Sequence, residues 1–226
     1  MFFEIQKILA AKKPSVFLLE NVKNLKSHDK GRTFQIILDT LTDPKGLNYK
    51  VEWKIIDASK VVPQHRERTY IIGFSDHNIN FEFPEIQPKS HKLTLKNDIL
   101  EPEIDSKYQI SEHLWKYFQE RKIIQQQKGN GFSYGIVDPD DLSSVTRTLT
   151  ARYYKDGAEI LIKNNLPTPR RLTPRECARL MSFPDEYVIP VSDHQAYKQF
   201  GNSVVVDVVE QIASSIVEFG LIKKTD

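Results

Sequence analysis

The sequence contains a single cysteine, Cys177, among 226 residues. One thiol cannot form an internal disulfide and cannot build a cysteine-rich zinc site, so we expect no metal. No apolar run reaches the length that a bilayer-spanning helix needs. Residues 1–14 include charged side chains and lack a small-residue cleavage site, which argues against a secretion signal. These absences predict a cytoplasmic protein that has no membrane partner.

Neither sign of charge is in clear excess. The chain has 32 Lys and Arg against 30 Asp and Glu, for a net charge of +2. Overall charge therefore does not indicate nucleic-acid binding, and any basic surface must be local. The densest basic run is residues 169–179, with four arginines and one glutamate. A solvated helix face has the same composition, and charge alone favours that interpretation.

Apolar spacing predicts an α/β arrangement for residues 1–84. Helical spacing occurs over residues 2–12 and 32–42, and apolar or β-branched runs predict strands at residues 16–19, 51–58 and 68–74. A continuous apolar run such as residues 16–19 is typical of a strand that is buried on both faces. The order of these segments predicts the last part of an open α/β sheet.

The remaining chain divides into two further segments. Residues 85–168 contain scattered prolines and glycines and an alternation of polar and apolar residues at 144–150, which predicts an irregular, β-rich domain with a short helix at 111–125. Residues 169–226 begin a helix at a capping box, Thr173 to Glu176, which should run to about Phe183. A final helix over residues 204–219, ended by Gly220, carries one apolar stripe and should return to residues 1–84.

Four short motifs occur in a fixed order along the chain. The sequence resembles the C-terminal part of a bacterial DNA (cytosine-5)-methyltransferase of the Dcm-like branch, and the resemblance covers essentially the whole chain. The segments that carry it are Glu20-Asn21-Val22, Gln64-His65-Arg66-Glu67-Arg68, the segment Arg170 to Pro184, and Gln199-Phe200-Gly201-Asn202-Ser203-Val204. The resemblance implies a Rossmann-like methyltransferase sheet and a target-recognition domain.

The resemblance also implies a chemistry, in which a thiolate attacks C6 of a flipped-out cytosine and C5 then takes the methyl group of S-adenosylmethionine. It assigns Glu20, beside Asn21, to hydrogen-bond and protonate N3. A carboxyl group at the end of a buried strand suits this role, because desolvation raises its pKa. Gln64, Arg66 and Arg68 are spaced by two, which on a strand would place them on one face. Two guanidiniums there could hold the cytosine O2 and phosphate oxygens.

The closing motif is implied to lie near the cofactor through Asn202 and Ser203. Gly201 permits a tight turn, and Asn202 or Ser203 at the N-cap of the last helix would leave polar groups for a ligand. A helix cap without a ligand is the alternative. Cys177 lies within a predicted helix rather than after a proline on a loop, so we interpret it as a buried structural residue.

Double-stranded DNA is the implied substrate, and residues 129–156 are the predicted specificity region. Arg147 and Arg152 are the candidates for reading bases, since an arginine fork matches guanine O6 and N7. Arg170 and Arg171 are further candidates for DNA binding. In the alternative interpretation, residues 145–149 build a strand and the arginines contact phosphates.

Two family features are missing from the sequence: the glycine-rich cofactor loop and the Pro-Cys loop that carries the nucleophile. Only 19 residues precede Glu20, which is too few to hold them. We therefore expect a partner chain that supplies both, a remnant of an interrupted gene, or a fragment of a longer protein. A non-catalytic DNA-binding or regulatory module is an alternative from another functional class, and a tRNA methyltransferase is an alternative within the enzymes.

Overall fold

A computed structural model describes residues 2–131 and 133–219. The chain divides into two compact units. The first contains the described residues up to Asp57, those from Glu67 to Glu85, and those from Glu210 onward; the second contains residues 58–66 and 86–209. The final helix, which we expected to return to the first 84 residues, is divided at Glu210: its described residues from Glu210 onward fall in the first unit. Residues 169–209 and the short segment 58–66 fall in the second unit.

The first unit is built on a three-stranded antiparallel sheet. Its strands are β1 (Val16–Val22), β2 (Lys50–Asp57) and β3 (Glu67–Phe74), and β3 lies between the other two. β1 is therefore an edge strand of the described sheet. Of its seven residues only Phe17 is buried, so the expectation of a strand buried on both faces is wrong for this part of the chain.

Two helices pack on this sheet, and both have the bounds that apolar spacing predicts: α1 (Phe2–Lys12) and α2 (Arg32–Thr42). The core between them and the strands is apolar and partly aromatic, with buried Leu9, Phe17, Phe34, Ile37, Leu41, Tyr49 and Ile71. A Cβ on Gly73 would lie 2.2 Å from the Phe17 ring, so the absence of a side chain there lets β1 and β3 pair at normal spacing.

The second unit has little regular secondary structure outside its helices. These are α3 (Glu112–Gln127), α4 (Pro174–Leu180), α5 (Asp193–Asn202) and the first turn of α6 (Val206–Glu218). Its two strands, β4 (Ile136–Val137) and β5 (Leu161–Ile162), have two residues each and run parallel. The prediction of an irregular region holds, but that of a β-rich one is wrong, because its two strands are so short. The helix predicted at residues 111–125 is confirmed as α3.

Residues 144–150 show why alternation failed to give a strand here. The only bridge in this segment pairs Thr146 with Gln64. The Thr146 amide donates to the Pro63 carbonyl over 2.9 Å, and the His65 amide donates to the Thr146 carbonyl over 2.9 Å. Beyond this bridge, side chains rather than a neighbouring strand satisfy the backbone of Leu149.

The capping box that begins α4 is confirmed. The Thr173 hydroxyl accepts from the Glu176 amide over 3.1 Å, and the Glu176 carboxylate accepts from the Thr173 amide over 2.8 Å. The helix ends at Leu180, three residues earlier than predicted. Helix α5 was not predicted, and Gly220 lies outside the described residues.

Residues Asp193–Glu218 are long and apolar enough to span a membrane by length and composition alone, although polar residues interrupt their apolar ones. This segment is broken between Asn202 and Val206 into two helices. Its apolar residues Ala196, Tyr197, Phe200, Val208 and Ile212 are buried within the protein. Each helix thus buries an apolar face and leaves other residues exposed.

Candidate active site and recognition segment

Glu20 and Arg68 form an ion pair in the first unit. The β1–β3 register places Glu20 opposite Tyr70 and Val22 opposite Arg68. The Arg68 Nε lies 3.0 Å from the Glu20 Oε1, and the two side chains are 13% and 28% exposed. The Arg68 Nη1 also donates to the Glu67 carbonyl over 2.9 Å. A charge-assisted pair of this kind fixes the direction in which the carboxylate points.

Burial lowers the pKa of the Arg68 guanidinium, and the negative charge of Glu20 opposes that shift. Because arginine titrates so far above neutrality, Arg68 stays charged. The carboxylate that precedes Arg68 on β3 is in a different setting: Glu67 accepts from the Lys23 ammonium over 2.7 Å, and both side chains are about half exposed (42% and 50%). Glu20 is therefore the more sheltered carboxylate of the two.

Asn21 lies beside Glu20 but is turned toward its own backbone. Its Oδ1 accepts from the amide of Val22 over 2.8 Å, and the residue is exposed. This contact holds the chain at the end of β1, directly after Glu20. It leaves the Asn21 side-chain amide nitrogen with no hydrogen-bond partner among the described residues.

Gln64 and Arg66 are not on a strand with Arg68, so the prediction of three side chains on one strand face is wrong. Strand β3 begins only at Glu67. Both residues are buried, at 0% and 2% exposure, within the second unit. Gln64 accepts from the Leu149 amide over 2.7 Å and donates to the Leu180 carbonyl over 3.2 Å.

The Arg66 guanidinium donates to three backbone carbonyls: Leu149 at 2.7 Å, Gly201 at 3.1 Å and Ser203 at 2.6 Å. These bonds direct its donors into the protein. The expected contact of Arg66 with a cytosine or a phosphate does not fit this arrangement, because its guanidinium is buried and already donates to carbonyls within the fold.

The closing motif differs from the prediction of a turn followed by an N-cap. Gly201 and Asn202 form the last turn of α5, and Ser203 is its C-cap. A Cβ on Gly201 would lie 2.2 Å from the Thr150 carbonyl carbon, so a glycine is needed for α5 to approach this backbone. The Ser203 hydroxyl donates to the Phe200 carbonyl over 3.0 Å, whereas Asn202 is exposed.

Arg170 is also placed differently from the prediction that it binds DNA. Its guanidinium forms a two-pronged pair with Glu176, at 2.7 and 2.8 Å, and the two side chains are 6% and 0% exposed. A buried guanidinium that is already paired cannot reach a phosphate without unfolding its surroundings. Arg171 is partly exposed, with its guanidinium 5.8 Å from the centre of the Tyr197 ring.

The two candidate base-reading arginines differ from each other. Arg147 is exposed but engaged: its guanidinium donates to the Ser133 carbonyl over 2.6 Å and to the Ser133 hydroxyl over 2.9 Å. Arg152 is exposed at the backbone turn that follows Thr150, and its side chain has no hydrogen-bond or ion-pair partner among the residues that the structure describes. Composition revealed neither the Ser133 contact nor the link between Gln64 and Leu149, because both join residues that are distant in the sequence.

Cys177 lies inside α4 and is fully buried. Burial raises the pKa of its thiol well above the usual value, with Glu176 adding to the shift. The reactive form of a cysteine is the thiolate, so this residue is chemically inert in the folded protein. The described chain also contains no cluster of His, Cys, Asp and Glu that could hold a metal.

The comparison with protein families decides which family the chain belongs to. Residues 1–218 match the family described as C-5 cytosine-specific DNA methylase. The chain belongs to this family. Its similarity to the type II methyltransferase M.DsaV of Dactylococcopsis salina is 50% identity over 224 residues, covering 97% of this chain and 61% of the relative. For the DNA-cytosine methyltransferase of Escherichia coli K12 it is 47% over 248 residues, covering 94% and 52%.

Solved structures show the fold of this methylase chain. S. pombe Dnmt2 methyltransferase aligns with a TM-score of 0.71 at 23% identity, covering 96% of this chain and 71% of that one. Entamoeba histolytica methyltransferase EhMeth aligns with a TM-score of 0.69 at 20% identity, covering 93% and 64%. The chain therefore has the mixed α/β methyltransferase fold. It spans only part of the length of the relatives it matches.

Proposed function

We propose that the chain is the Glu20-bearing and target-recognising part of a DNA (cytosine-5)-methyltransferase of a restriction-modification system. The whole enzyme would methylate C5 of cytosine within one short duplex sequence, in the cytoplasm. The ion pair of Glu20 with Arg68 carries this proposal, because it orients a carboxylate within the Glu20-Asn21-Val22 segment. Identities near 50% to type II methyltransferases favour DNA over tRNA, and the 47% identity to the E. coli enzyme favours a Dcm-like branch.

Glu20 would bind the flipped cytosine at N3. Attack of a thiolate at C6 places negative charge on the ring, and a proton held between the carboxyl group and N3 stabilises that charge. Arg68 would keep the carboxyl group in position through its Nε and leave the second Glu20 oxygen for the base. A general acid in such a position contributes about 10²–10⁴-fold to the rate.

The thiolate would come from residues other than these 226. Cys177 is the only cysteine, and it is buried in a helix with a raised pKa. We infer that methyl transfer requires a Pro-Cys loop on a complementary chain or on further residues of a longer protein. The chain by itself would then be inactive.

The family generally uses S-adenosylmethionine, which supplies the methyl group when bound. Among the described residues of the closing motif, Asn202 offers an exposed side-chain amide, while the Ser203 hydroxyl is used by the Phe200 carbonyl. One amide does not make a site for this cofactor, so the described residues do not fit it unaided. We propose that Asn202 lies at the rim of a site that the missing residues complete.

The DNA-contacting residues would be those whose side chains reach the surface. Arg152 and the partly exposed Arg171 have guanidiniums that DNA can approach. Arg147 would act indirectly, because its guanidinium is hydrogen-bonded to Ser133 and holds that residue in place. Arginine contacts to phosphates position a protein on DNA, and arginine contacts to base edges discriminate between sequences. Arg170 has no place in this surface.

The test is Glu20→Gln in the completed, active enzyme. Glutamine keeps the size of the side chain but cannot donate a carboxylic proton, so we expect turnover to fall about 10²–10⁴-fold while duplex binding stays within about threefold. Glu67→Gln is the matched control, since it removes a carboxylate from the same sheet and should leave turnover close to wild type. Equal losses in both variants, or full turnover in Glu20→Gln, would contradict the assignment.

A further inference from the structure

The Gln64 side chain is hydrogen-bonded both to residues 144–150, within the predicted specificity region, and to the C-terminal end of α4. All of these residues lie in the second unit. The Gln64 Oε1 accepts from the Leu149 amide over 2.7 Å, and its Nε2 donates to the Leu180 carbonyl at the end of α4 over 3.2 Å. All three residues are buried at 0% exposure. One side chain thus fixes the distance between residues 144–150 and α4.

Arg66 makes the complementary set of bonds. Its guanidinium donates to the Leu149 carbonyl, and the Leu149 amide donates to Gln64. Both polar backbone groups of Leu149 are therefore bonded to side chains of one motif. The Arg66 Nη2 donates to the carbonyls of Gly201 and Ser203 at the C-terminal end of α5. Positive charge at a helix C-terminus is favourable, which adds to the strength of these bonds.

We propose that Gln64 and Arg66 are positioning residues for target recognition. They hold the backbone at Leu149 in register with the ends of α4 and α5, and thereby set where the flanking side chains of residues 144–152 meet DNA. This inference rests on the proposed function, because it concerns how that function selects its sequence. Both side chains are buried and bonded to the protein backbone rather than presented at the surface.

The arrangement of bonds predicts which substitutions are tolerated. Gln64→Met has similar length but removes the bonds to the Leu149 amide and the Leu180 carbonyl, and Arg66→Met removes the three bonds to backbone carbonyls. Arg66→Lys keeps the positive charge at the end of α5 but lacks the planar guanidinium fork, so it should keep only some of the hydrogen bonds that Arg66 makes. Tyr197→Phe is the control, because it removes one buried bond in the same unit, to the Leu172 carbonyl at 2.6 Å, without touching Leu149.

The first measurement uses the chain itself. In hydrogen exchange under native conditions, the Leu149 amide should exchange at least about tenfold faster in Gln64→Met than in wild type. Tyr197→Phe should leave Leu149 unchanged at comparable global stability. Unchanged Leu149 protection in Gln64→Met would overturn the proposal regardless of activity.

The second measurement uses the completed enzyme. The ratio of kcat/KM for the cognate duplex to that for single-mismatch duplexes should fall about tenfold in Gln64→Met and Arg66→Met, which is the size of a lost discriminating contact. Arg66→Lys should recover part of the ratio, and Tyr197→Phe should leave it within about twofold of wild type.

The outcomes separate this proposal from the proposed function. Lack of methyl transfer by the completed wild-type enzyme would count against the proposed function alone. Active wild-type enzyme with an unchanged ratio in Gln64→Met would overturn the positioning role, since a purely structural role lowers stability without changing the ratio. If Arg66→Met does not fold, Gln64→Met decides.

Discussion

At the residue scale, the arginines of this chain differ in how much of their charge a nucleic acid can reach. Arg66 and Arg170 are buried and bonded to carbonyls or to a carboxylate, whereas Arg147 and Arg152 reach the surface. Sequence spacing could predict that these residues belong to motifs. It could not predict their burial, because their partners are up to 137 residues away.

The Arg170–Glu176 pair gives a stability prediction. Glu176 accepts two bonds from Arg170 and one each from the amides of Glu101 and Thr173. Removing Arg170 leaves a buried charge without its counter-ion, so Arg170→Ala should lower the free energy of unfolding by about 3–5 kcal/mol. Urea unfolding measures this directly.

Arg179 provides the comparison for that experiment. It lies in the same helix as Glu176 and pairs with Asp185 at 2.7 Å, but the side chains are 25% and 57% exposed. Arg179→Ala should therefore cost no more than about 1 kcal/mol. Equal costs for the two variants would show that Arg170 is not the buried partner described here, and its role in DNA binding would need to be reconsidered.

Arg147 and Arg152 should also behave differently from each other in the completed enzyme. Arg152→Ala removes an unengaged guanidinium, so we expect a loss of about 1–3 kcal/mol for the cognate site and relaxed preference at one position. Arg147→Ala releases Ser133 and should weaken cognate and mismatched duplexes by similar factors.

Binding to cognate and single-mismatch duplexes at two salt concentrations distinguishes these cases. A phosphate contact weakens all sequences alike and reduces the salt dependence. Uniform weakening in Arg152→Ala would therefore remove Arg152 from the base-reading residues and leave it as a backbone contact.

At the scale of elements, the sequence predicted those helix bounds that depend on residues close together in the chain. The bounds of α1 and α2 and the start of α4 were predictable, because apolar spacing and a capping box act within a few residues. Helix α5 was missed, although its buried Ala196, Tyr197 and Phe200 recur at helical spacing. Residues 144–150 alternate like a strand, yet side chains from elsewhere in the sequence bond their backbone.

Gly201 gives a prediction at this scale. A Cβ there would lie 2.2–2.4 Å from the backbone of Thr150 and Ala151, so α5 must move away to accommodate it. Gly201→Ala should cost about 1–3 kcal/mol in thermal or urea unfolding. Gly131→Ala is the control, because a Cβ added there would meet no described atom within 4 Å. That change should stay within about 0.5 kcal/mol. A neutral Gly201→Ala would mean that this close approach is not required.

At the scale of the whole chain, the two units are interleaved in sequence. Residues 58–66 belong to the second unit, and the chain returns to the first unit at Glu67, within the motif Gln64 to Arg68. A composition shift after Phe83 could suggest one boundary but could not reveal this excursion, because so short a segment carries too little signal. The motif thus contributes Arg68 to one unit and Gln64 and Arg66 to the other.

The central claim is that these residues supply the carboxyl group and the target recognition of a cytosine-5 methyltransferase, while the thiolate comes from elsewhere. The direct test measures transfer of labelled methyl from S-adenosylmethionine to duplex DNA, with the 226-residue chain alone and with a polypeptide that carries the Pro-Cys loop. We expect no transfer by the chain alone, transfer by the mixture, and loss of that transfer with Glu20→Gln but not with Cys177→Ala. Transfer by the chain alone, or transfer that depends on Cys177, would contradict the account.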